Sequence, residues 1–242
     1  MNTKENTTAD FAVTTVYADG SKRRGSLTLL REHHFRVYLG EKMLYDIPCT
    51  DTDLKELAVG RLFSDGYIRS AEEIEKIEID GDRGTVLLSP RPLGWGEPSP
   101  RLAEREKTSR YPMHHERVLR LIRAFFDEAA IHKRTSATHC SILMSGEEIV
   151  FRTEDISRHN AIDKAIGAMI LMGLSPENCM LYTSGRVPED AAEKVIKAGI
   201  PVFVSKAIPT SEAVHLAGKH GLTLICRAWT DHYEIITGEE WT

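Results

Sequence analysis

The run Met180-Leu181-Tyr182-Thr183 is followed by Ser184-Gly185-Arg186, then by residues 189–198 closed by Gly199, then by Pro201-Val202-Phe203-Val204-Ser205. The first and last pieces are short, apolar and rich in β-branched and aromatic residues, as buried strands are. The middle piece spaces Ala191, Ala192, Val195 and Ile196 at helical intervals, and the glycine after it is a helix stop. A strand, a helix and a strand with short joints predict parallel pairing, with the helix crossing one face of a sheet.

The same alternation extends in both directions. Upstream, 115–130 has the spacing of an amphipathic helix, 140–144 and 149–152 read as strands across Ser145-Gly146-Glu147, and 160–174 reads as a helix. Downstream, 211–220 reads as a helix closed by Gly221, with strands at 222–225 and 233–236. Residues 113–242 therefore read as an α/β sandwich. The earlier part differs: strands at 11–17, 27–30, 35–39 and 43–47, a helix at 51–65 with a capping box from Asp53 and Glu56, and a hairpin across residues 81–84. Residues 11–88 read as a smaller α+β part. Between the two, 89–112 holds five of the ten prolines without periodicity and is expected to be a mobile loop.

Composition removes several classes. The chain has 242 residues and a formal net charge of −5, so nothing draws it generally to nucleic acid or to an anionic membrane. No apolar run approaches the roughly 20 residues of a membrane span. The first residues lack a charged-then-apolar leader, so a cytoplasmic location is expected. Cys49, Cys140, Cys179 and Cys226 form no C-x-x-C, and His139 is followed by Cys140-Ser141 where a zinc deaminase needs x-Glu, so a structural zinc site or a zinc deaminase is not expected and no metal is assigned.

Ligands of open α/β sheets sit at the carboxyl ends of the strands. Three joints there carry unusual polar residues: Arg158-His159-Asn160, Ser184-Gly185-Arg186 and Pro209-Thr210-Ser211. Helix-start amides, hydroxyls and two guanidinium groups together suit a phosphate or another anion. The expectation is one hollow shared by Arg158, His159, Ser184 and Thr210. His159 lies close to Glu154, Asp155 and Asp163, which could orient its ring or raise its pKa. His139 beside Cys140 is the one imidazole–thiol neighbour pair, the candidate for an activated thiolate.

Residues 154–167, Glu-Asp-Ile-Ser-Arg-His-Asn-Ala-Ile-Asp-Lys-Ala-Ile-Gly, closely resemble the E-D-V-G-R-H-N-A-x-D-K-x-x-G signature of the FdhD/NarQ family of formate dehydrogenase accessory proteins. Residues 183–186, 197–202, 209–210, 221–224 and 54–68 also resemble the family, in order. The resemblance implies a cytidine-deaminase-like α/β/α C-terminal domain and a cytoplasmic homodimer. It implies binding of the molybdenum bis(guanine dinucleotide) cofactor, or a guanine nucleotide. It further implies a sulfurtransferase-type sulfur carrier, taking sulfur from a cysteine desulfurase to the cofactor of apo formate dehydrogenase. On that basis the segment Arg227-Ala228-Trp229-Thr230-Asp231-His232 joins the three joints as cofactor contacts.

Two departures stand out. The family's persulfide C-x-x-C belongs in the central loop, and 89–112 contains no cysteine. Its T-G-G-x-H-x-A stretch reads Thr135-Ser136-Ala137-Thr138-His139-Cys140-Ser141. Sulfur transfer would then fall to Cys140 with His139. The alternative is a divergent carrier or chaperone that holds the cofactor or a guanine nucleotide without moving sulfur.

Overall fold

The computed structural model describes residues 7–88 and 114–238, so the segment 89–112 lies outside the described residues. The chain opens with β1 (Thr8–Val16) and β2 (Lys22–Leu30), an antiparallel ribbon of two strands. Next come β3 (His33–Leu39), β4 (Lys42–Cys49), α1 (Leu54–Ser64), β5 (Ile74–Asp80) and β6 (Arg83–Leu88). Their strands form a sheet in the order β4-β3-β6-β5. The expected hairpin across residues 81–84 is present as β5–β6.

The second half runs α2 (His115–Glu128), α3 (Ala130–Thr135), β7 (His139–Ser145), β8 (Glu148–Asp155), α4 (Arg158–Leu171), β9 (Cys179–Thr183), α5 (Glu189–Ala198), β10 (Val202–Ser205), α6 (Ser211–His220), β11 (Thr223–Cys226) and β12 (Glu234–Thr237). Six strands line up as β12-β11-β10-β9-β7-β8. Strands β9, β10 and β11 are parallel, as the alternation predicts. The sheet as a whole is mixed, because β7 is antiparallel to both neighbours and β12 to β11. The joint between β7 and β8 is a tight turn, too short for the crossover that parallel pairing needs. The carboxyl ends of β8, β9, β10 and β11 therefore share one edge with the start of β7.

Helices cover both faces of this sheet. Alternate residues Ile142, Met144, Met180, Tyr182, Val202, Val204 and Ile225 meet Val118, Leu121, Ile122 and Phe125 of α2. The intervening Leu143, Leu181, Phe203 and Leu224 meet Ile162 and Ile166 of α4, Val195 of α5 and Ala217 of α6. The same apolar cluster continues into the first half through Leu57, Ala58 and Leu62 of α1 and Phe35, Val37 and Val86 of the small sheet. One core thus runs through both halves. The joint is the crossing of α1 on α4, where a Cβ on Gly60 would stand 1.8 Å from the Asp163 carbonyl oxygen and one on Gly167 would stand 1.9 Å from that of Glu56.

Two local expectations fail. Asp53 makes no side-chain cap on α1; it sits in the left-handed region at φ 52° and accepts a hydrogen bond from Thr153 Oγ1 at 2.7 Å. The helix expected over 115–130 breaks at Ala129, and the short helix α3 follows.

Candidate functional site

The signature 154–164 divides by depth. Glu154 turns toward α3, where its carboxylate accepts the amides of Ile131 at 2.9 Å and His132 at 2.6 Å. It also accepts the Thr138 hydroxyl at 2.7 Å, so it caps α3 from outside the helix. Asp155 is fully buried and accepts from Lys164 Nζ at 2.7 Å, from the amides of Thr50 and Ser157 at 3.1 Å, and from Asn160 Nδ2 at 2.9 Å. Asn160 Nδ2 also donates to the Pro48 carbonyl at 2.8 Å. Asp163, equally buried, accepts from Ser64 Oγ and Lys194 Nζ. Asp155 and Asp163 are thus both buried and fully engaged within the fold. Arg158 and His159, the first turn of α4, are half-buried at the surface.

Arg158 lies along the loop after β9. A Cβ on Gly185 would stand 3.0 Å from Arg158 Cβ and 3.2 Å from His139 Nδ1, so the missing side chain lets both approach. His139 reaches this edge because β7 runs against its neighbours. Burial, and then the positive charge of the neighbouring Arg158 and Arg186, hold its pKa below the ordinary imidazole value. Among the described residues neither Arg158 nor Arg186 has a carboxylate partner, and Arg158 Nε is buried with no hydrogen-bond partner at all.

Ser184 accepts the Cys140 amide on its Oγ and donates its own amide to the Cys140 carbonyl, both at 2.9 Å, which ties β9 to β7. Pro209 bridges Val187, and Thr210 caps α6 by accepting the Ala213 amide at 3.2 Å. Ser211 is exposed and donates to Glu212. Arg227 is exposed at φ 45°, 3.4 Å from Glu234. Ala228 does not face the edge: its methyl is in the core under α2, and its amide donates to the Ser205 carbonyl. Trp229, Thr230, Asp231 and His232 are exposed, and His232 Nδ1 lies 2.9 Å from Asp231.

A cation that sequence reasoning missed is Lys206, directly after β10. Its Nζ sits 5.1 Å from the Trp229 ring centre and 5.3 and 5.4 Å from those of Phe125 and Phe126. Its place after a strand, beside the other joints, was the available signal. With it, four joints of one sheet edge each present a cation: Arg158, Arg186, Lys206 and Arg227.

The expected single hollow is divided. A cleft of about 920 Å³ opens between β4, α1, α4 and α5, lined by Tyr45, Arg61, His159, Asp190 and Lys194 among others. Of the residues named from sequence it takes His159 and Asn160, while Arg158, Ser184, Gly185, Arg186 and Thr210 stand outside it. His159 Nε2 lies 2.9 Å from Asp190 Oδ2 there, yet burial leaves its pKa lowered, against the expected rise.

All four thiols are free and buried. Cys140 is 3% exposed, in the cluster with Tyr182 and Phe125, and burial pushes its thiol well above the ordinary range. Burial likewise raises Cys49 and Cys226 to about 12 and Cys179 to about 11. The thiolate that a nucleophilic cysteine requires is disfavoured at each. Among the described residues no group of three or more His, Cys, Asp or Glu could hold a metal ion, and no helix is long and apolar enough to cross a membrane.

A family model described as the FdhD/NarQ family matches residues 30–105 and 94–242. The chain belongs to the FdhD/NarQ family. A sulfur carrier protein FdhD from Halalkalibacterium halodurans is 29% identical over 216 residues, covering 80% of each chain. The Bacillus subtilis protein of the same name is 25% identical over 245 residues, covering 93% of this chain and 94% of its own. A crystal structure described as a formate dehydrogenase accessory protein, from Desulfotalea psychrophila, aligns with a TM-score of 0.82 over 94% of this chain and 96% of its own, at 24% identity. This FdhD/NarQ member thus shares its mixed α/β fold with that structure.

Proposed function

We propose that this FdhD/NarQ member is a cytoplasmic accessory protein of formate dehydrogenase, working as a homodimer. It binds the molybdenum bis(guanine dinucleotide) cofactor along the sheet edge and assists its sulfuration and insertion, with sulfur supplied by a cysteine desulfurase. The observation that carries cofactor binding is the pair of guanidinium groups, Arg158 and Arg186, that have no carboxylate partner among the described residues and lie beside the side-chain-free approach at Gly185. Unpaired cations converging on a close backbone approach are what a pyrophosphate needs. The cytidine-deaminase-like assignment draws its support from the mixed sheet, with β7 reversed beside three parallel strands.

Calorimetry with GDP tests the pocket. Each charge-assisted contact is worth roughly 1.5–3 kcal/mol, so Arg158→Ala and Arg186→Ala should each weaken GDP about 10-fold or more. Unchanged affinity in both variants would remove the site. The pH dependence has a definite sign. In the free protein His139 is held neutral, so the folded chain binds a proton less readily than the unfolded one, and stability falls as pH drops below about 6.5. A bound polyphosphate favours the imidazolium. GDP should therefore bind more tightly at pH 6 than at pH 8, with proton uptake, and His139→Gln should flatten the difference.

Burial of every thiol favours a second reading of the sulfur step: the chain holds the cofactor and moves no sulfur on its own cysteines. Incubation with a cysteine desulfurase and labelled cysteine should leave the protein unlabelled. Persulfide on Cys140 would restore sulfur transfer by this chain.

A further inference from the structure

The β1–β2 ribbon belongs to neither sheet. Two-stranded ribbons are marginal in water by themselves. This one has nine paired residues in each strand, and its register puts Ala9 opposite Leu29, Phe11 opposite Leu27 and Val13 opposite Gly25. Those residues share one face, which is open to solvent: Phe11 is 54% exposed, Leu27 49% and Leu29 41%.

The two outer edges of the ribbon are unlike. The β2 edge carries Lys22, Arg23 and Arg24, the charges that keep a strand edge from pairing. β1 carries one charge, Asp10, and no lysine, arginine, proline or glycine over nine residues. Among the described residues no strand pairs with its outer edge. A long edge with a single charge and no strand partner, beside an apolar face, is built to accept another strand.

We infer that β1 pairs antiparallel with β1 of a second copy of this chain, two-fold about Ala12, making a four-stranded sheet across the dimer. The sequence of β1 is self-complementary about that residue. Phe11 falls opposite the partner's Val13 and joins the two apolar faces into one. Asp10 falls opposite the partner's Thr14, whose own ladder neighbour is the partner's Arg24. Each of the two rows through Asp10 then holds one anion and one cation, and no like charges stand opposite. Pairing β2 with its copy would instead bring Lys22, Arg23 and Arg24 of both chains onto two strands that carry no acidic residue. The inference gives the proposed homodimer its interface, and so rests on that reading of the oligomer.

Sedimentation of the full chain across a dilution series tests it, with near-neutral buffer at low salt. Wild type should be a dimer that dissociates on dilution. Ala12→Lys places two ammonium groups opposite each other and should raise the dissociation constant at least 10-fold, as should Ala12→Glu. An equimolar mixture of the two variants should recover the dimer, because unlike charges then meet at the axis. The ribbon lies off the core, so the melting temperature at low protein concentration should not change. A wild-type monomer would overturn both the homodimer and this interface. A wild-type dimer that neither single substitution weakens, or a mixture that does not re-associate, would overturn the interface alone.

Discussion

Gly60→Ala should lower the melting temperature by roughly 6–12 °C. In the interior of an exposed helix this change usually stabilises, because alanine exceeds glycine by about 1 kcal/mol in helix propensity. Here the added Cβ would lie 1.8 Å from the Asp163 carbonyl oxygen and 2.9 Å from the Gly167 amide nitrogen. Both obstacles are backbone, so no rotamer change relieves them. The helices must separate, which loosens the packing of Leu57, Ala58, Ile162 and Ile166 in the shared core. Overpacking costs typically about 1–3 kcal/mol, and with backbone on both sides the upper end, about 3 kcal/mol, is expected; each kcal/mol moves the midpoint of a chain this size by about 2–4 °C. Gly167→Ala should behave alike, since its Cβ would meet the Glu56 carbonyl at 1.9 Å. Gly218→Ala is the internal control: nothing lies within 4 Å of its Cβ, so that variant should be neutral or slightly more stable. Thermal melts of the three variants distinguish a backbone seam from an ordinary helix contact, and a neutral Gly60→Ala would contradict the seam.

Lys164→Met should cost about 3–5 kcal/mol, the range for stripping one partner from a buried ion pair. Lys164 and Asp155 are both fully buried, 2.7 Å apart, and Lys164 Nζ also donates to Thr50 Oγ1 at 2.7 Å. Removing the ammonium leaves the Asp155 carboxylate with neutral donors only. Because Thr50 follows β4 and Asp155 ends β8, the loss reaches both halves of the fold. Denaturant titration should show a lower midpoint at an unchanged slope. Adding Asp155→Asn should cost less than its own single effect, with non-additivity of about 1 kcal/mol or more. Strict additivity would mean the two groups do not act as a pair.

Helices α5 and α6 were legible to their first and last residues. Each has a clean amphipathic period and ends at a glycine, Gly199 and Gly221, that takes positive φ at 76° and 71°. Helix α3 was not legible, because its cap comes from Glu154, more than 20 residues away in sequence and across a strand. The capping box at Asp53 looked sound locally but lost to a tertiary partner, Thr153. In the signature, residue type alone could not separate ligand contacts from structural clamps. The deciding clue was the neighbourhood: Asp163 and Lys164 sit in an apolar run, 161–170, with no polar face, so the helix is buried all round and its charges must find partners inside. The convergence of His139 with Arg158 was hidden as well, because it depends on β7 running backwards, a property of pairing rather than of periodicity.

The placement of the sulfurs has a further consequence. Peroxide and alkylating reagents attack accessible thiolates, and here each sulfur lies beneath packed side chains with its proton held on. Oxidising conditions that disable a carrier working through a reactive thiol would leave the four cysteines of this protein unmodified for as long as its interior stays closed.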